Sequence, residues 1–315
     1  MAEAFKGRIG VIGAGALGAF YGARLARAGH DVHFLMRRDY EAVSSNGLHV
    51  KSFEGDFVLH PPVYDAAEKL GRCDLLLIGL KSGDNAALPA LLEPTADAKT
   101  LVLTLQNGLG NEERIAEVLG GENASGRVLG GIAFLCSNRI APGVIHHIDH
   151  GWIRLGEFRG TAQPRTHAIG AMFESAGVRC QVYNSLLRAR WEKLVWNVPF
   201  NGLGVEARAN VAEVLASPEL RQRARHLMND VITAARSDGV ELESELADKM
   251  MRNSETMGPY RTSMQIDYEE GRAPETESIL GEPLRRAQNA GLHTPYLESL
   301  YTAAAVACGR LTPGP

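Results

Sequence analysis

RIGVIGAGALG, residues 8–18, is the stretch on which the reading of this 315-residue chain turns. Ile9, Val11 and Ile12 make a short apolar run that opens directly into Gly13-Ala14-Gly15-Ala16-Leu17-Gly18, and a helical pattern follows over residues 19–28. Each glycine answers a separate steric demand. Gly13 permits the tight strand-to-helix turn, Gly15 lets backbone amides approach a pyrophosphate with no Cβ in the way, and Gly18 lets the helix pack closely on the strand. The positive end of that helix faces the same place. Gly29 stops the helix and residues 30–35 read as a second strand, so the pattern predicts a βαβ unit whose cofactor-binding turn runs from Gly13 to Gly18.

The residues after the second strand select the cofactor. A fold that prefers NAD places Asp or Glu about twenty residues past the glycines, where it accepts hydrogen bonds from the ribose 2′-hydroxyl. This chain has Met36-Arg37-Arg38 there. A guanidinium offers a planar fork of donors suited to a 2′-phosphate dianion, so Arg37 is expected to select NADPH, with Arg38 as a stacking or second contact. Asp39 is the only acidic competitor.

Length bounds the architecture. The chain exceeds one such domain and predicts two, with ample core. Hydrophobic residues at 45 % and charged residues at 22 % are ordinary for a globular protein, and a formal net charge of −4 argues against nucleic acid as a partner. No apolar run is long enough to span a bilayer and the N-terminus lacks the apolar core of a signal peptide, which leads to the expectation of a cytoplasmic protein with no membrane partner. Cys73, Cys136, Cys180 and Cys308 are scattered, with no CxxC pair, as expected of reduced thiols.

Onward from the fingerprint, strands and helices alternate as a parallel sheet requires. Residues 74–80 form an apolar strand ending at Lys81, and residues 100–105 another, ending at Gln106-Asn107-Gly108. Ligands of open α/β sheets sit at the carboxyl ends of strands, which makes Lys81 a candidate contact to a cofactor or substrate anion and Asn107 a candidate amide beside a nicotinamide. Further strands over 128–134 and 144–156 are joined by Ala141-Pro142-Gly143. The cluster His146-His147-Ile148-Asp149-His150 invites a metal, but strict alternation would put His146 and His150 on one face and His147 with Asp149 on the other. Split ligands make no metal site, and the cluster reads as a polar strand surface.

From Ser185 the alternation gives way to amphipathic helical segments over 186–201, 218–238, 241–254, 283–290 and 295–307. The expected domains are therefore 1–184, dinucleotide-binding, and 185–315, helical, with a frayed tail over 311–315. The first of these helices carries the sharpest chemistry. Lys193, Asn197 and Asn201 recur every four residues and share a face, while Trp191, Leu194, Val195 and Val198 cover others. Asparagine is a poor helix former, so two beside a lysine mark a polar recognition face, and Pro199 is expected to kink the helix there.

Taken in order, the glycine fingerprint, GLK at Gly79-Leu80-Lys81, QNG at Gln106 to Gly108, WxKLxxNxxxN from Trp191 to Asn201, TSM from Thr262 to Met264 and ExExxxG from Glu275 to Gly281 resemble the ketopantoate reductase (2-dehydropantoate 2-reductase) family. That resemblance covers nearly the whole chain and implies a Rossmann-type domain followed by an all-α domain of the 6-phosphogluconate-dehydrogenase-like kind. It implies Lys193 as the general acid that protonates a carbonyl oxygen as NADPH delivers hydride. It implies Asn197 and Asn201 at polar substrate groups, Ser263 at the substrate carboxylate, and Glu275 orienting the substrate hydroxyl or touching the cofactor, while Asn107, from its place at the strand end, is a candidate for both substrate and cofactor. An ammonium at a carbonyl oxygen both stabilises developing charge and supplies a proton. Burial would lower its pKa and a nearby Glu275 would raise it. Asp267 could support Ser263 or cap a helix. Where the family often shows TEIDxxNG, this chain has Glu277 and Leu280, changes expected beside the substrate pocket. The implied reaction is reduction of ketopantoate to (R)-pantoate, on the route to pantothenate and coenzyme A, by a monomer or homodimer. The alternatives are a reductase of another small 2-oxo acid or an imine, or a non-catalytic NADPH sensor.

Overall fold

The computed structural model describes residues 3–309; the expected fraying over 311–315 lies outside them. The chain forms two compact units, Met1–Gln106 with Asn111–Leu186, and Asn107–Gly110 with Leu187–Pro315.

The first unit is a ten-stranded sheet of β1 (Ile9–Ile12), β2 (Val32–Leu35), β3 (Leu48–Ser52), β4 (Phe57–Leu59), β5 (Val63–Tyr64), β6 (Leu75–Ile78), β7 (Leu101–Thr104), β8 (Val128–Ala141), β9 (Val144–Glu157) and β10 (Cys180–Val182). Its helices are α1 (Ala16–Arg27), α2 (Tyr40–Asn46), α3 (Ala67–Leu70), α4 (Leu88–Leu92), α5 (Asn111–Val118), α6 (Glu122–Ser125) and α7 (Pro164–Ser175). The strand order is β4-β3-β9-β8-β7-β6-β1-β2-β5, with β10 paired to β9. Pairing is parallel except in β3/β4 and β8/β9.

Register places the site. Ile12 pairs with Leu35 on one side and Ile78 on the other, and Ile78 pairs with Thr104. Gly13, Met36, Gly79 and Leu105 therefore follow their strands at one rim of the sheet, and β1, flanked by β2 and β6, is where the strand order reverses and such folds take their ligands. The strands read as unbroken apolar runs because both faces are covered: Ile9, Val11, Leu75 and Leu77 enter one core, and Ile12, Leu76 and Ile78 another. Strands β4, β5 and β10 are two or three residues long, and β3 interleaves His49 and Lys51 with its apolar residues, so they carry too little pattern to stand out in the sequence.

The second unit is helical: α8 (Leu186–Glu206), α9 (Val211–Ala216), α10 (Pro218–Ala235), α11 (Glu245–Ser254), α12 (Ser263–Glu269), a π-helical turn Glu277–Gly281, α13 (Glu282–Asn289) and α14 (Pro295–Ala307). Caps set several starts. Asn210 and Glu213 form a capping box before α9, and Ser217 accepts from the Leu220 amide before α10, whose first residue is Pro218. Helix α8 is buried on almost every side, with Trp191, Leu194, Val195, Val198, Phe200, Leu203 and Val205 all in the core.

Helix α8 corrects the expectation that it would end by Asn201: it runs through Pro199 to Glu206. Gly202 and Gly204, in this added length, are contact surfaces. A Cβ on Gly202 would lie 2.4 Å from Leu300 Cδ2, and one on Gly204 would lie 3.1 Å from both Gln265 Cβ and Thr262 Oγ1. Tertiary packing outweighs the local cost of glycine here.

Candidate active site

In the first unit the glycines do what their spacing asked of them. Gly13 has φ +88°, and a Cβ there would meet the Leu80 amide nitrogen at 2.4 Å; one on Gly18 would meet the Gly13 carbonyl oxygen at 2.4 Å. Gly79, of the GLK motif, is pressed against the same turn, its Cβ position 2.8 Å from Gly13 O and 2.9 Å from Gly18 Cα. Gly15 differs. It is the N-cap of α1, no side chain caps that helix, and a Cβ on it would find nothing within 4 Å. The turn therefore presents open space against an uncapped helix N-terminus, which fits a pyrophosphate.

At the end of β2, Arg37 and Arg38 are exposed and hold no hydrogen-bond or ion-pair partner among the described residues. Asp39 is buried, 6 % exposed, with both carboxylate oxygens engaged by Arg139 of β8. Lys81 is exposed and caps the 3₁₀ turn Ser82–Ala87 by position. That turn holds Asn85, whose Oδ1 accepts from Gln106 Nε2 at 2.8 Å and whose Nδ2 donates to Asn111 Oδ1 at 2.9 Å. The Thr104 hydroxyl donates to Gln106 Oε1 at 3.0 Å. This buried relay at the ends of β6 and β7 escaped the sequence reading. Its one signal was a glutamine closing an apolar strand.

The histidine cluster departs from strict alternation. Ser137 pairs with His147 and Cys136 with Asp149, so Ile148 bulges out of register, and His150 adopts φ +64°. The cluster is not a uniform polar surface, because His147 is 1 % exposed. Its ring lies 4.2 Å from that of Phe20, and burial holds its pKa below the usual value of 6.5. The carbonyl of His150 can only accept, so Nε2 donates to it at 3.0 Å and Nδ1 accepts from the Ser52 hydroxyl at 2.9 Å. Among the described residues no group of three or more His, Cys, Asp or Glu is placed to hold a metal ion.

In the second unit, Asn107 is drawn out of the strand sequence that precedes it. Gly108 has φ +84°, with its Cβ position 2.1 Å from Ser278 O, and the Leu109 amide donates to that same carbonyl at 2.9 Å. The π-helical turn thus anchors the Asn-Gly segment, a backbone clamp that no side-chain motif announces. So held, Asn107 Oδ1 accepts from Lys193 Nζ at 2.7 Å. Two turns further along α8, Asn201 Oδ1 accepts from the Met264 amide at 3.1 Å and the Ser263 hydroxyl at 3.4 Å. This bonding fixes the orientation of the Asn201 amide and leaves Nδ2 as a donor on its other side. Asn197 is 5 % exposed and its amide has no hydrogen-bond partner among the described residues. Glu275 is 6 % exposed and its carbonyl accepts from the Ile279 amide as the π-turn begins.

The structure also gives the partners of the residues where the chain departs from the family pattern. Glu277 accepts from Arg285 at 2.8 Å and the Tyr301 hydroxyl at 2.9 Å, and Leu280 is fully buried in the helical core. Asp267 lies within α12, not at its cap, and accepts from Arg272 Nε at 2.9 Å.

A glycine turn at the reversal point of a parallel sheet, in a chain whose helical unit carries a lysine held by an asparagine, defines a dinucleotide-binding protein of the Rossmann type with an all-α second unit. Residues 9–160 match the family described as ketopantoate reductase PanE/ApbA, and residues 185–307 its C-terminal part. The chain belongs to the ketopantoate reductase family. It is 43 % identical over 298 residues to a 2-dehydropantoate 2-reductase of a Nostoc species, covering 92 % of each chain. The crystal structure of 2-dehydropantoate 2-reductase from Geobacter metallireducens is similar with a TM-score of 0.92 at 46 % identity, over 95 % of this chain and 99 % of that one. That from Methylococcus capsulatus follows at 0.88 and 32 %, over 98 % of both.

Proposed function

We propose that this chain reduces ketopantoate to (R)-pantoate with NADPH. The single observation that carries the reading is the placement of Lys193: a side chain on a buried helix, held at 2.7 Å by Asn107, with the two buried amides of Asn197 and Asn201 on the same face. A bound nicotinamide dinucleotide supplies the hydride. Gly13 to Gly18 would hold its pyrophosphate, Arg37 its ribose 2′-phosphate, and Lys81 and Glu275 further cofactor groups.

Lys193 does the acid chemistry. Hydride addition to a ketone leaves negative charge on oxygen, and the Lys193 ammonium stabilises that charge and transfers a proton from Nζ to the oxygen, ending as the neutral amine. Asn107 fixes where the ammonium sits. Ser263, at the first position of α12, offers its hydroxyl to the substrate carboxylate, and Asn197 and Asn201 offer amides to the remaining polar groups of the substrate. The four cysteines are thiols, with burial pushing Cys73 up to about 11 and Cys180 up to about 12, in keeping with a reducing, cytoplasmic compartment. Among the described residues no helix is long and apolar enough to cross a membrane. The working form is a monomer or homodimer.

The test is NADPH oxidation by the purified protein with a panel of 2-oxo acids that includes ketopantoate. Turnover fastest on ketopantoate supports the proposal. Preference for another oxo acid overturns the substrate while keeping the reaction, and NADPH binding without turnover on any member would make the chain a sensor.

A further inference from the structure

Asp39 stands at about the distance from the glycines at which NAD-specific folds place their ribose-binding acid. It is the acidic competitor for the ribose in this chain, and in the structure its carboxylate is already engaged. Its carboxylate is 6 % exposed and accepts from Arg139 Nε at 2.7 Å through Oδ2 and 3.1 Å through Oδ1, with Nη2 also on Oδ1. Arg139 arrives from the distal part of β8, far away in sequence. The pairing is selective. Arg37 and Arg38, adjacent to Asp39 in the chain, are exposed and hold no partner among the described residues, while the nearby carboxylate is matched by a third arginine.

We propose that Arg139 is a specificity-determining residue for the ribose 2′-phosphate, acting through Asp39. The inference rests on the NADPH reading above. The fork occupies the oxygens that would otherwise accept from a ribose 2′-hydroxyl, and its charge cancels the field with which Asp39 would repel a phosphate dianion. Arg37 and Arg38 then present their charge unopposed. Removing Arg139 reverses both effects together: it returns an acceptor suited to NAD and adds a negative charge where NADP carries its own.

The experiment measures calorimetric affinities of the whole chain for NADP⁺ and NAD⁺, a pair that differs only in the 2′-phosphate. Arg139→Met should lower the NADP⁺ to NAD⁺ affinity ratio by about ten-fold or more, and adding Asp39→Asn should restore it to within about three-fold of wild type. A ratio unchanged in Arg139→Met overturns the proposal. So does a double variant that stays low, since Arg139 would then touch the phosphate itself or merely brace the fold. Arg139→Met strands a buried carboxylate and can cost folding, so Asp39→Asn alone is a second arm. Its ratio should hold or rise, and a fall overturns the proposal. Arg37→Ala separates the two readings. If it leaves the ratio unchanged, selection by Arg37 fails; if it lowers the ratio and Arg139→Met does not, the role of Arg139 alone fails.

Discussion

In the first unit the proposed pyrophosphate surface is backbone: Gly13, Gly15 and Gly18 contribute the absence of side chains, and the chemistry is that of amides at a helix end. In the second unit the proposed substrate surface is side chain: Lys193, Asn197 and Asn201 project from a helix whose other faces are core. A backbone site is specified where it stands, because turn, close approach and helix packing are local demands. A side-chain site is specified only in part, because where an ammonium sits depends on what holds it. For Lys193 that is Asn107, itself clamped through Gly108 and Leu109 to the carbonyl of Ser278. Chemistry should therefore fail when the second surface is altered, and cofactor affinity or folding when the first is.

The largest effect tests that division directly. Lys193→Ala should fold and bind NADPH normally yet lose about two to four orders of magnitude in kcat, the usual range for a positioned proton donor. The wild-type rate should fall at high pH as the ammonium titrates, and that limb should be missing from the residual activity of the mutant. Arginine should not restore the rate, since a guanidinium gives up its proton too reluctantly. Near-normal turnover with the alkaline limb intact would mean that another group protonates the substrate.

Next come the glycines, which look alike in sequence and are not equivalent. Gly13→Ala forces a Cβ onto φ +88° and to 2.4 Å from a backbone nitrogen, and should cost about 1–3 kcal/mol from the dihedral alone, with the clash adding to it. Gly15→Ala has φ −75° and open space, so its stability should stay within about 0.5 kcal/mol of wild type while dinucleotide affinity falls about ten-fold or more. Chemical denaturation and calorimetry on the two variants read this out. Equal destabilisation, or undiminished binding by Gly15→Ala, would show that the open space at the turn does not receive a pyrophosphate.

How much of this was legible follows from the same distinction. The turn at Gly13 to Gly18 and the Lys193-Asn197-Asn201 face were visible because each is set by spacing within one element. The Asn107 to Lys193 bond was not visible as a contact, because it joins residues far apart in sequence and Asn107 is positioned by a clamp on the Ser278 backbone carbonyl, which carries no residue identity. The same holds for Asp39: spacing marked it as a competitor, but its pairing with Arg139 of a distal strand is a contact that no local pattern records. The run of α8 past Asn201 was not visible either, since Gly202 and Gly204 are in contact with Leu300, Gln265 and Thr262, which no local pattern records.

A smaller effect sharpens the role of the second surface. Ser263→Ala removes one proposed hydrogen bond to the oxo acid and should raise its KM about ten-fold, about 1.4 kcal/mol, with NADPH affinity unchanged. Asn201→Ala should do the same and also lose stability, because the Met264 amide loses its acceptor. Equal weakening of both ligands in Ser263→Ala would assign the serine to folding instead.

The smallest effect concerns acid stability and is expected to come from the first unit, away from its glycine turn. His147 is buried against Phe20, donates to the His150 carbonyl and accepts from the Ser52 hydroxyl, an arrangement that uses the neutral ring. Burial lowers its pKa in the fold, so as pH falls through the ordinary value of 6.5 the unfolded chain takes up a proton that the folded chain declines. The stabilising contribution is complete above that pH and is lost progressively down to the depressed folded value. Denaturation curves at pH 7.5 and 5.5, values bracketing the ordinary histidine pKa of about 6.5, should show wild type losing more stability than His147→Gln, whose amide does not titrate. NADPH affinity should differ little between the two proteins at either pH, because the glycine turn contains no titratable group. If the two proteins lose stability in parallel, His147 does not take up a proton on unfolding in this range. If affinity follows the titration instead, the histidine acts on the dinucleotide site and the backbone surface is not independent of its side-chain surroundings.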